Sequence, residues 1–143
     1  MITIEQHGDK LLLRDVVADW IYINTPNDYN QYSLRMLIDD EELDELNKVI
    51  LSSSYNKYKL QLHNTTVSRK VEYKGKPNDV IFKDKDGNKI TEQMLLYSKY
   101  KVNILCRPYF YDTMGNKGVK LSLYGVRILD DIVEDNTPVE SIL

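Results

Sequence analysis

Basic and aromatic side chains alternate along two neighbouring segments in the C-terminal half of the chain. Arg107, Tyr109 and Tyr111 share one side of the first segment, and Lys120 and Tyr124 share one side of the second. Cationic groups bind phosphates, and flat rings stack on exposed bases with about 1–3 kcal/mol for each base. Stacking does not distinguish one base from another, and a duplex hides its bases from such rings. The pattern therefore favours binding of unpaired DNA without base preference.

Further cations and rings extend this candidate surface. The predicted DNA-contacting residues also include Lys101, Tyr73, Lys74 and Lys59. For any one of these side chains a simpler interpretation exists, because a tyrosine can pack under a loop and a lysine can solubilise a strand edge. The combination on two adjacent predicted strands favours a binding surface over separate structural roles.

Charge is unevenly distributed along the 143 residues, although the net charge is only -3. Residues 1–54 carry 4 basic and 11 acidic side chains, whereas residues 55–129 carry 15 basic and 6 acidic ones. The last 14 residues carry 5 acidic side chains and no basic ones. The sequence also has 11 Tyr against 2 Phe and 1 Trp, and tyrosine suits positions where one end of the ring meets water. A basic, tyrosine-rich middle thus lies between two acidic segments.

Catalytic and metal chemistry have little support in the sequence. The two histidines lie in unrelated contexts, and no phosphate-loop, zinc-protease or serine-hydrolase motif occurs. The single cysteine, Cys106, falls on the apolar side of its strand, which favours a core role over a nucleophile. Asp84, Asp86 and Asp112 could assemble a metal-dependent nuclease, but each lies in a turn where Asp is common. We predict a non-enzymatic protein with no metal or other cofactor.

Targeting signals are also missing from the sequence. The N-terminus has neither the basic nor the apolar part of a signal peptide, and no apolar run reaches the roughly 20 residues of a membrane span. One cysteine excludes an intrachain disulfide. These features predict an intracellular protein that does not associate with a membrane.

Hydrophobic periodicity predicts a mainly β chain with one helix. Strands are predicted over 11–23, 32–38, 58–62, 69–74, 100–112 and 119–129. The helix is predicted over 40–52, and the six carboxylates between Asp39 and Glu45 are interpreted as its solvated cap rather than as a metal site. A tight turn at Asp86-Gly87 and a bulge at Gly125 are predicted as well.

The order of these elements favours an OB-fold-like antiparallel barrel with one helix and long loops. Strands are short, no β-α-β alternation occurs, and no internal repeat is present. The predicted organisation is a single domain over 1–129 followed by an acidic, flexible C-terminal tail over 130–143. Trp20 and Tyr22 share one face of the first strand, where burial in the core is favoured for Trp20.

Several sequence pieces between Lys74 and Leu129 are found together in one known group of proteins. They are Gly75–Asn78, Asp86–Gly87, Tyr97–Asn103, Tyr109–Asp112, Gly115–Leu123 and Val126. With these pieces the chain resembles the phage-encoded single-stranded DNA-binding, or helix-destabilising, proteins, which have an OB-fold core. The N-terminal hairpin, the helix and the acidic tail are similar too.

This resemblance implies a function and a setting. It implies coating of single-stranded DNA during phage replication, recombination or repair in the cytoplasm of an infected bacterium. It also implies contacts of the acidic tail with replication or recombination proteins, and a homodimer as one mode of assembly. The main alternative is a protein-interaction or structural module of phage origin that uses its tyrosine-rich sheet face, since Tyr and Arg are also enriched at protein interfaces.

Overall fold

The computed structural model describes residues 2–132 of the chain. Over these residues the elements follow in the order β1 (Thr3–His7), β2 (Lys10–Tyr22), β3 (Gln31–Met36), α1 (Asp40–Leu51), β4 (Thr66–Lys70), β5 (Glu72–Tyr73), β6 (Lys76–Pro77), β7 (Ile81–Lys83), β8 (Lys99–Thr113) and β9 (Asn116–Ile132). Within residues 2–132, no helix is long and apolar enough to cross a membrane.

Five strands close into a ring. β2 pairs with β3 and with β8, β3 pairs with β4, and β9 pairs with both β4 and β8. All these pairings are antiparallel except that of β4 with β9. A five-stranded Greek-key ring is the architecture of the OB-fold, so the predicted fold class is confirmed. β1 and β7 lie beside β2 and β9 respectively and widen the sheet.

The core lies inside this ring, as strand alternation requires. Val102, Ile104 and Cys106 of β8 are fully buried, whereas Lys101 is exposed and Arg107 half-buried. Burial raises the pKa of the Cys106 thiol to about 12, so this cysteine stays protonated at neutral pH. Its predicted core position is confirmed.

Helix α1 is fixed at its start by its own acidic residues. The Asp39 carboxylate accepts from the Glu42 backbone N–H at 2.8 Å, and the Glu42 side chain accepts from the Asp39 N–H at 3.3 Å. This reciprocal capping satisfies two amides that the helix itself leaves unpaired. The inner face of the helix buries Leu46 and Ile50. The predicted helix and the interpretation of its acids as a cap are confirmed, with the helix ending at Leu51.

The strand predicted over 58–62 is wrong, because side-chain hydrogen bonds hold this stretch in a turn followed by an irregular loop. Lys59 has a φ of +54°, and the Asn56 side chain accepts from the Leu60 N–H at 2.7 Å. Leu62 is nevertheless buried, with its N–H bonded to the Asn47 side chain at 2.6 Å. Its apolar character therefore reflects packing beneath a loop rather than a strand.

Other differences concern strand boundaries. The strand predicted over 69–74 is divided, since β4 ends at Lys70 and the next two-residue strand belongs to the small β5–β6 hairpin. β1 and β7 were not predicted; both are short and pair at the margins of the ring. The last strand, β9, continues to Ile132, three residues into the segment predicted as the tail. The rest of that segment lies outside the described residues.

Two predicted local features are confirmed. The Gly87 N–H donates to the Asp84 carbonyl at 3.1 Å, which closes the tight Asp-Gly turn. In the β8–β9 pairing, Cys106 lies opposite Leu123 and Leu105 opposite Gly125. Tyr124 is therefore the additional residue of a β-bulge, which redirects its side chain.

Candidate nucleic-acid interface

The outer side of the β8–β9 hairpin carries the predicted basic and aromatic residues in register. Tyr109 lies directly opposite Lys120, and the Lys120 ammonium lies 5.3 Å from the centre of the Tyr109 ring. Tyr109 is 46% exposed, so part of its side chain is accessible to solvent. The predicted pairing of these two strands is confirmed, and the alternation of charge and ring is present at their outer end.

Three cations from three different strands surround Tyr124. The Arg69 guanidinium lies 4.0 Å from the ring centre, the Lys10 ammonium 4.9 Å, and the Arg107 guanidinium 5.6 Å. These four residues are called the Tyr124 cluster. Cations are attracted to the electron-rich face of an aromatic ring, which helps to hold like charges together here.

The Tyr124 cluster has more positive than negative charge among its contacts. Asp9 is the carboxylate that meets two of its cations, with Lys10 at 3.2 Å and Arg107 at 3.6 Å. The hydrogen bond from Lys10, with the nearby Arg107, lowers the pKa of Asp9, so this acid is ionised at neutral pH. Arg69 donates instead to neutral oxygens, the Asn78 side chain and the Asp79 carbonyl. The cluster is therefore suited to an anion such as a phosphate.

The outer end of the hairpin adds further rings. The Lys117 ammonium lies 3.8 Å from the centre of the Tyr58 ring, which is 54% exposed. Tyr111 is half-buried and covers Gly118, where any side chain would overlap its ring. Tyr55, in the loop after α1, is 71% exposed. The residues from Tyr109 to Lys120 are called the hairpin tip.

The predicted residues Tyr73 and Lys74 lie on the β5–β6 hairpin. The Lys74 ammonium is 5.3 Å from the Tyr73 ring centre, and Tyr73 is 58% exposed. Asn78, which follows this hairpin, donates to the Lys70 carbonyl and accepts from Arg69. The hairpin is thereby tied to the strand that supplies Arg69 to the Tyr124 cluster. Lys59 is exposed on the loop after α1.

Lys101 is not brought together with the other predicted residues. It lies six residues before Arg107 on β8, a separation of about 20 Å along a strand. Its ammonium is 4.0 Å from the Asp15 carboxylate, and its partners across the sheet are Val17 on β2 and Asp130 on β9. The sequence pattern placed it on the correct face but could not show its acidic surroundings.

Strands β2 and β3 contribute Trp20, Tyr22 and Arg35, whose side chains are partly covered or already paired. Trp20 is half-buried, not part of the core, and meets the edge of the Tyr97 ring at 4.8 Å between centres. Tyr22 is also half-buried. Arg35 makes a two-pronged hydrogen bond to the buried Asp19 at 2.7 and 2.8 Å, which occupies its guanidinium.

Sequence reasoning missed several side chains of the candidate site. They are Lys10, Arg69, Lys117, Tyr55 and Tyr58. No local pattern marks them, because they lie on β2, β4, β9 and a loop that meet only after the ring closes. The order of strands in an OB-fold is the signal that could have placed Arg69 next to β9.

The carboxylates and histidines of residues 2–132 are, by residue type, possible metal ligands. Within this range, no group of three His, Cys, Asp or Glu residues is placed to hold a metal ion. Asp84 uses its carboxylate to accept from the Asp86 and Asn88 backbone amides at 2.9 and 3.0 Å. These hydrogen bonds agree with the turn role that the sequence favours for Asp84.

Comparisons with known proteins give a clear result only for structure. No protein-family model and no curated protein sequence matches the chain. A single-stranded DNA-binding protein from bacteriophage Enc34 matches with a TM-score of 0.62 at 9% identity, over 99% of this chain and 98% of the other. The same phage protein in complex with ssDNA gives 0.64 at 10% identity, over 90% of both chains. The single-stranded DNA-binding protein gp2.5 of bacteriophage T7 gives 0.50 at 15% identity, covering 99% and 93%.

The chain has the fold of phage single-stranded DNA-binding proteins. The predicted resemblance is therefore confirmed at the level of structure, across nearly the whole chain. OB-folds bind oligonucleotides on their second and third ring strands and on the connection between the fourth and fifth. Here the third ring strand is β4, which carries Arg69, and the connection is the hairpin tip. Arg69 and the hairpin tip thus lie where this fold usually binds oligonucleotides, and Lys10, Arg107 and Tyr124 lie beside Arg69.

Proposed function

We propose that the chain is a non-enzymatic protein that binds single-stranded DNA without sequence preference. The observation that carries this proposal is the continuity of two features: the Tyr124 cluster and the open Tyr109–Lys120 pair on the same hairpin. The cluster offers a site for phosphate, and 46% exposure leaves the Tyr109 ring available to a base. Unpaired DNA exposes its phosphates and its bases together, so one strand can bind to both features.

The two features have different roles in binding, one toward phosphates and the other toward bases. Lys10, Arg69, Arg107 and Lys120 neutralise backbone phosphates, and each releases counterions from the strand. Tyr109 provides the stacking surface. Tyr124 is half-buried beneath its cations, so its ring positions them rather than stacking directly on a base. The β5–β6 hairpin with Tyr73 and Lys74 extends the path beyond Arg69.

The biological setting is proposed from the comparisons. The matching Enc34 protein was solved in complex with ssDNA, and this chain shares its fold over 90% of both lengths. We infer that this chain coats and protects ssDNA inside an infected bacterial cell, in phage replication, recombination or repair. Homodimer formation is part of the same proposal.

The acidic tail is proposed to bind partner proteins of replication or recombination. Its charge is opposite to that of the basic middle of the chain, so it would compete for the DNA surface when no strand is bound. A truncation after Ile132 tests this without shortening β9. We expect the truncated protein to bind oligo-dT more tightly than the full chain at low salt; equal or weaker binding would contradict the competition.

Selectivity for single strands tests the main proposal. The experiment is fluorescence anisotropy of labelled oligo-dT with unlabelled duplex of the same length as competitor. We expect oligo-dT to bind and the duplex to displace it poorly, because paired bases cannot stack on Tyr109. Equal displacement by duplex and by unlabelled oligo-dT would contradict the stacking mechanism. Absence of binding would favour the alternative function, a protein-interaction module.

A further inference from the structure

A cleft of about 550 Å³ opens beside the hairpin tip. Its walls come from the turn between β1 and β2, the loop after α1, and one edge of β8. The lining residues used in this argument are Leu11, Ile50, Ser54, Tyr55, Arg107 and Tyr109. Such a volume lies in the range of about 300–1,000 Å³ that is typical of sites for small organic ligands.

The cleft exists because β8 is longer than its neighbour β2. The first β2 residue paired with β8 is Leu11, opposite Cys106. From Arg107 to Thr113, β8 therefore has β9 as its only strand partner within residues 2–132. Along this stretch the other edge of β8 is unpaired with any strand of residues 2–132, and backbone polar groups on an unpaired edge can form hydrogen bonds with a bound group.

The chemistry of the lining fits a nucleobase. The floor is apolar at Leu11 and Ile50, and the rim carries the hydroxyl of Ser54 and the exposed ring of Tyr55. A base has two apolar faces and an edge of hydrogen-bond donors and acceptors. Arg107 lines the cleft and its guanidinium belongs to the Tyr124 cluster, so a phosphate bound to that cluster lies next to the cleft.

We propose that this cleft receives one base of the bound strand, turned away from its neighbours while the adjacent phosphate is held at Arg107. The inference rests on the proposed ssDNA function and adds a second kind of base contact to stacking on Tyr109. Tyr109 lies on the border of the cleft, so consecutive bases would be placed on its open face and inside the cleft. Unpaired strands can turn a base outward at lower cost than a duplex.

Filling the cleft provides the first test. Ser54→Trp places an indole at the rim of the cleft, and Thr91→Trp is the matched control on an exposed loop. The residue after Thr91 is Glu92, whose carbonyl accepts a hydrogen bond from the Asn24 side chain. Asn24 lies just beyond the last residue of β2, whereas the cleft lies beside Leu11 at the start of that strand. We expect Ser54→Trp to weaken oligo-dT binding by about 5- to 150-fold, the equivalent of one lost base contact. Thr91→Trp should bind as the wild type does.

Photo-crosslinking provides a test that needs no substitution. Oligo-dT containing 5-iodouracil is irradiated with the full-length wild-type protein, and the modified peptides are identified by mass spectrometry. We expect adducts on Tyr55 as well as on Tyr109. Binding with adducts on Tyr109 but never on Tyr55, or unchanged affinity of a folded Ser54→Trp variant, would overturn the cleft while leaving the proposed function in place. A wild-type protein that does not bind oligo-dT would overturn both.

Discussion

Arg107 and Lys101 lie on the outer face of the same strand, and each is next to one aspartate. Arg107 is 3.6 Å from Asp9, and Lys101 is 4.0 Å from Asp15. Their side chains are 39% and 48% exposed, so their accessibility is similar. What differs is the contribution of other strands. Arg107 shares the Tyr124 ring with two further cations, whereas Lys101 lies opposite a second acid, Asp130.

This difference shows that a binding surface is defined by the neighbours of a cation more than by the cation itself. At the Arg107 end, β2 and β4 bring Lys10 and Arg69 to the same ring. At the other end the sheet places carboxylates around the lysine, which would repel a phosphate. The account therefore predicts that DNA binding depends on one end of β8 and not on the other.

The largest expected effect follows from reversing charge in the Tyr124 cluster. The double variant Lys10→Glu/Arg107→Glu removes two phosphate contacts, each worth about 1.5–3 kcal/mol when the acceptor is charged. We expect oligo-dT affinity to fall by about 100-fold or more at roughly 0.1 M salt, where the Debye length is about 10 Å. The comparison variant Lys101→Glu should change affinity by less than about threefold, since charges beyond the Debye length are screened. A similar loss in both variants would remove the distinction between the two ends.

The next largest effect concerns two exposed tyrosines, Tyr109 near one end of β8 and Tyr97 just before its other end. Tyr109→Ala should weaken oligo-dT binding by about 5- to 150-fold through one lost stacking contact, and Tyr109→Phe should retain the affinity. Tyr97, which is 82% exposed next to Trp20, provides the matched control. Anisotropy titrations of Tyr97→Ala should match the wild type. An equal loss on replacing either tyrosine would mean that exposure alone, rather than position, decides the effect.

A smaller effect is expected for the lysine opposite Tyr109. Lys120→Ala should reduce the steepness of log K against log salt by about 0.7, the value for one phosphate on a single strand. The Tyr109 ring remains in place, so selectivity for single strands over duplex should persist. Titrations at several salt concentrations measure both quantities. An unchanged slope would show that Lys120 does not contact phosphate.

The smallest predicted effect is a gain. Asp9 competes with phosphate for Lys10 and Arg107, and its lowered pKa keeps it charged at neutral pH. Protonation would begin only as pH falls below the usual range of a carboxyl group, so the competition operates throughout the neutral range. We expect Asp9→Asn to raise oligo-dT affinity by up to about threefold, consistent with an exposed ion pair. Asp15→Asn should have no effect, and a gain in that variant would contradict the comparison.

Much of this architecture could be predicted from local sequence. Alternation identified β8 and β9 and the faces of both strands, and the acids at Asp39 and Glu42 marked the start of α1. The same alternation failed over 58–62, where Asn56 and Asn47 accept hydrogen bonds from the Leu60 and Leu62 N–H groups of an irregular loop. Of the alternating residues, Leu62 is buried and Leu60 half-buried, whereas Tyr58 is 54% exposed, so a loop over the core reproduces only part of the pattern of a strand.

The site was harder to predict than the strands, for a physical reason. Arg107, Tyr109 and Lys120 belong to one hairpin, so their proximity follows from a single turn. Lys10 and Arg69 reach Tyr124 from strands distant in sequence, and the bulge at Gly125 decides where that ring points. Such contacts depend on closure of the ring, which no local pattern specifies.

The salt dependence of oligo-dT binding, measured for the wild type, Arg107→Ala and Lys101→Ala, tests the central claim most directly. We predict that log K falls with log salt in the wild type, and that the slope becomes shallower by about 0.7 in Arg107→Ala. The slope of Lys101→Ala should equal that of the wild type. A shallower slope in Lys101→Ala together with an unchanged slope in Arg107→Ala would place the DNA at the wrong end of β8 and contradict the account.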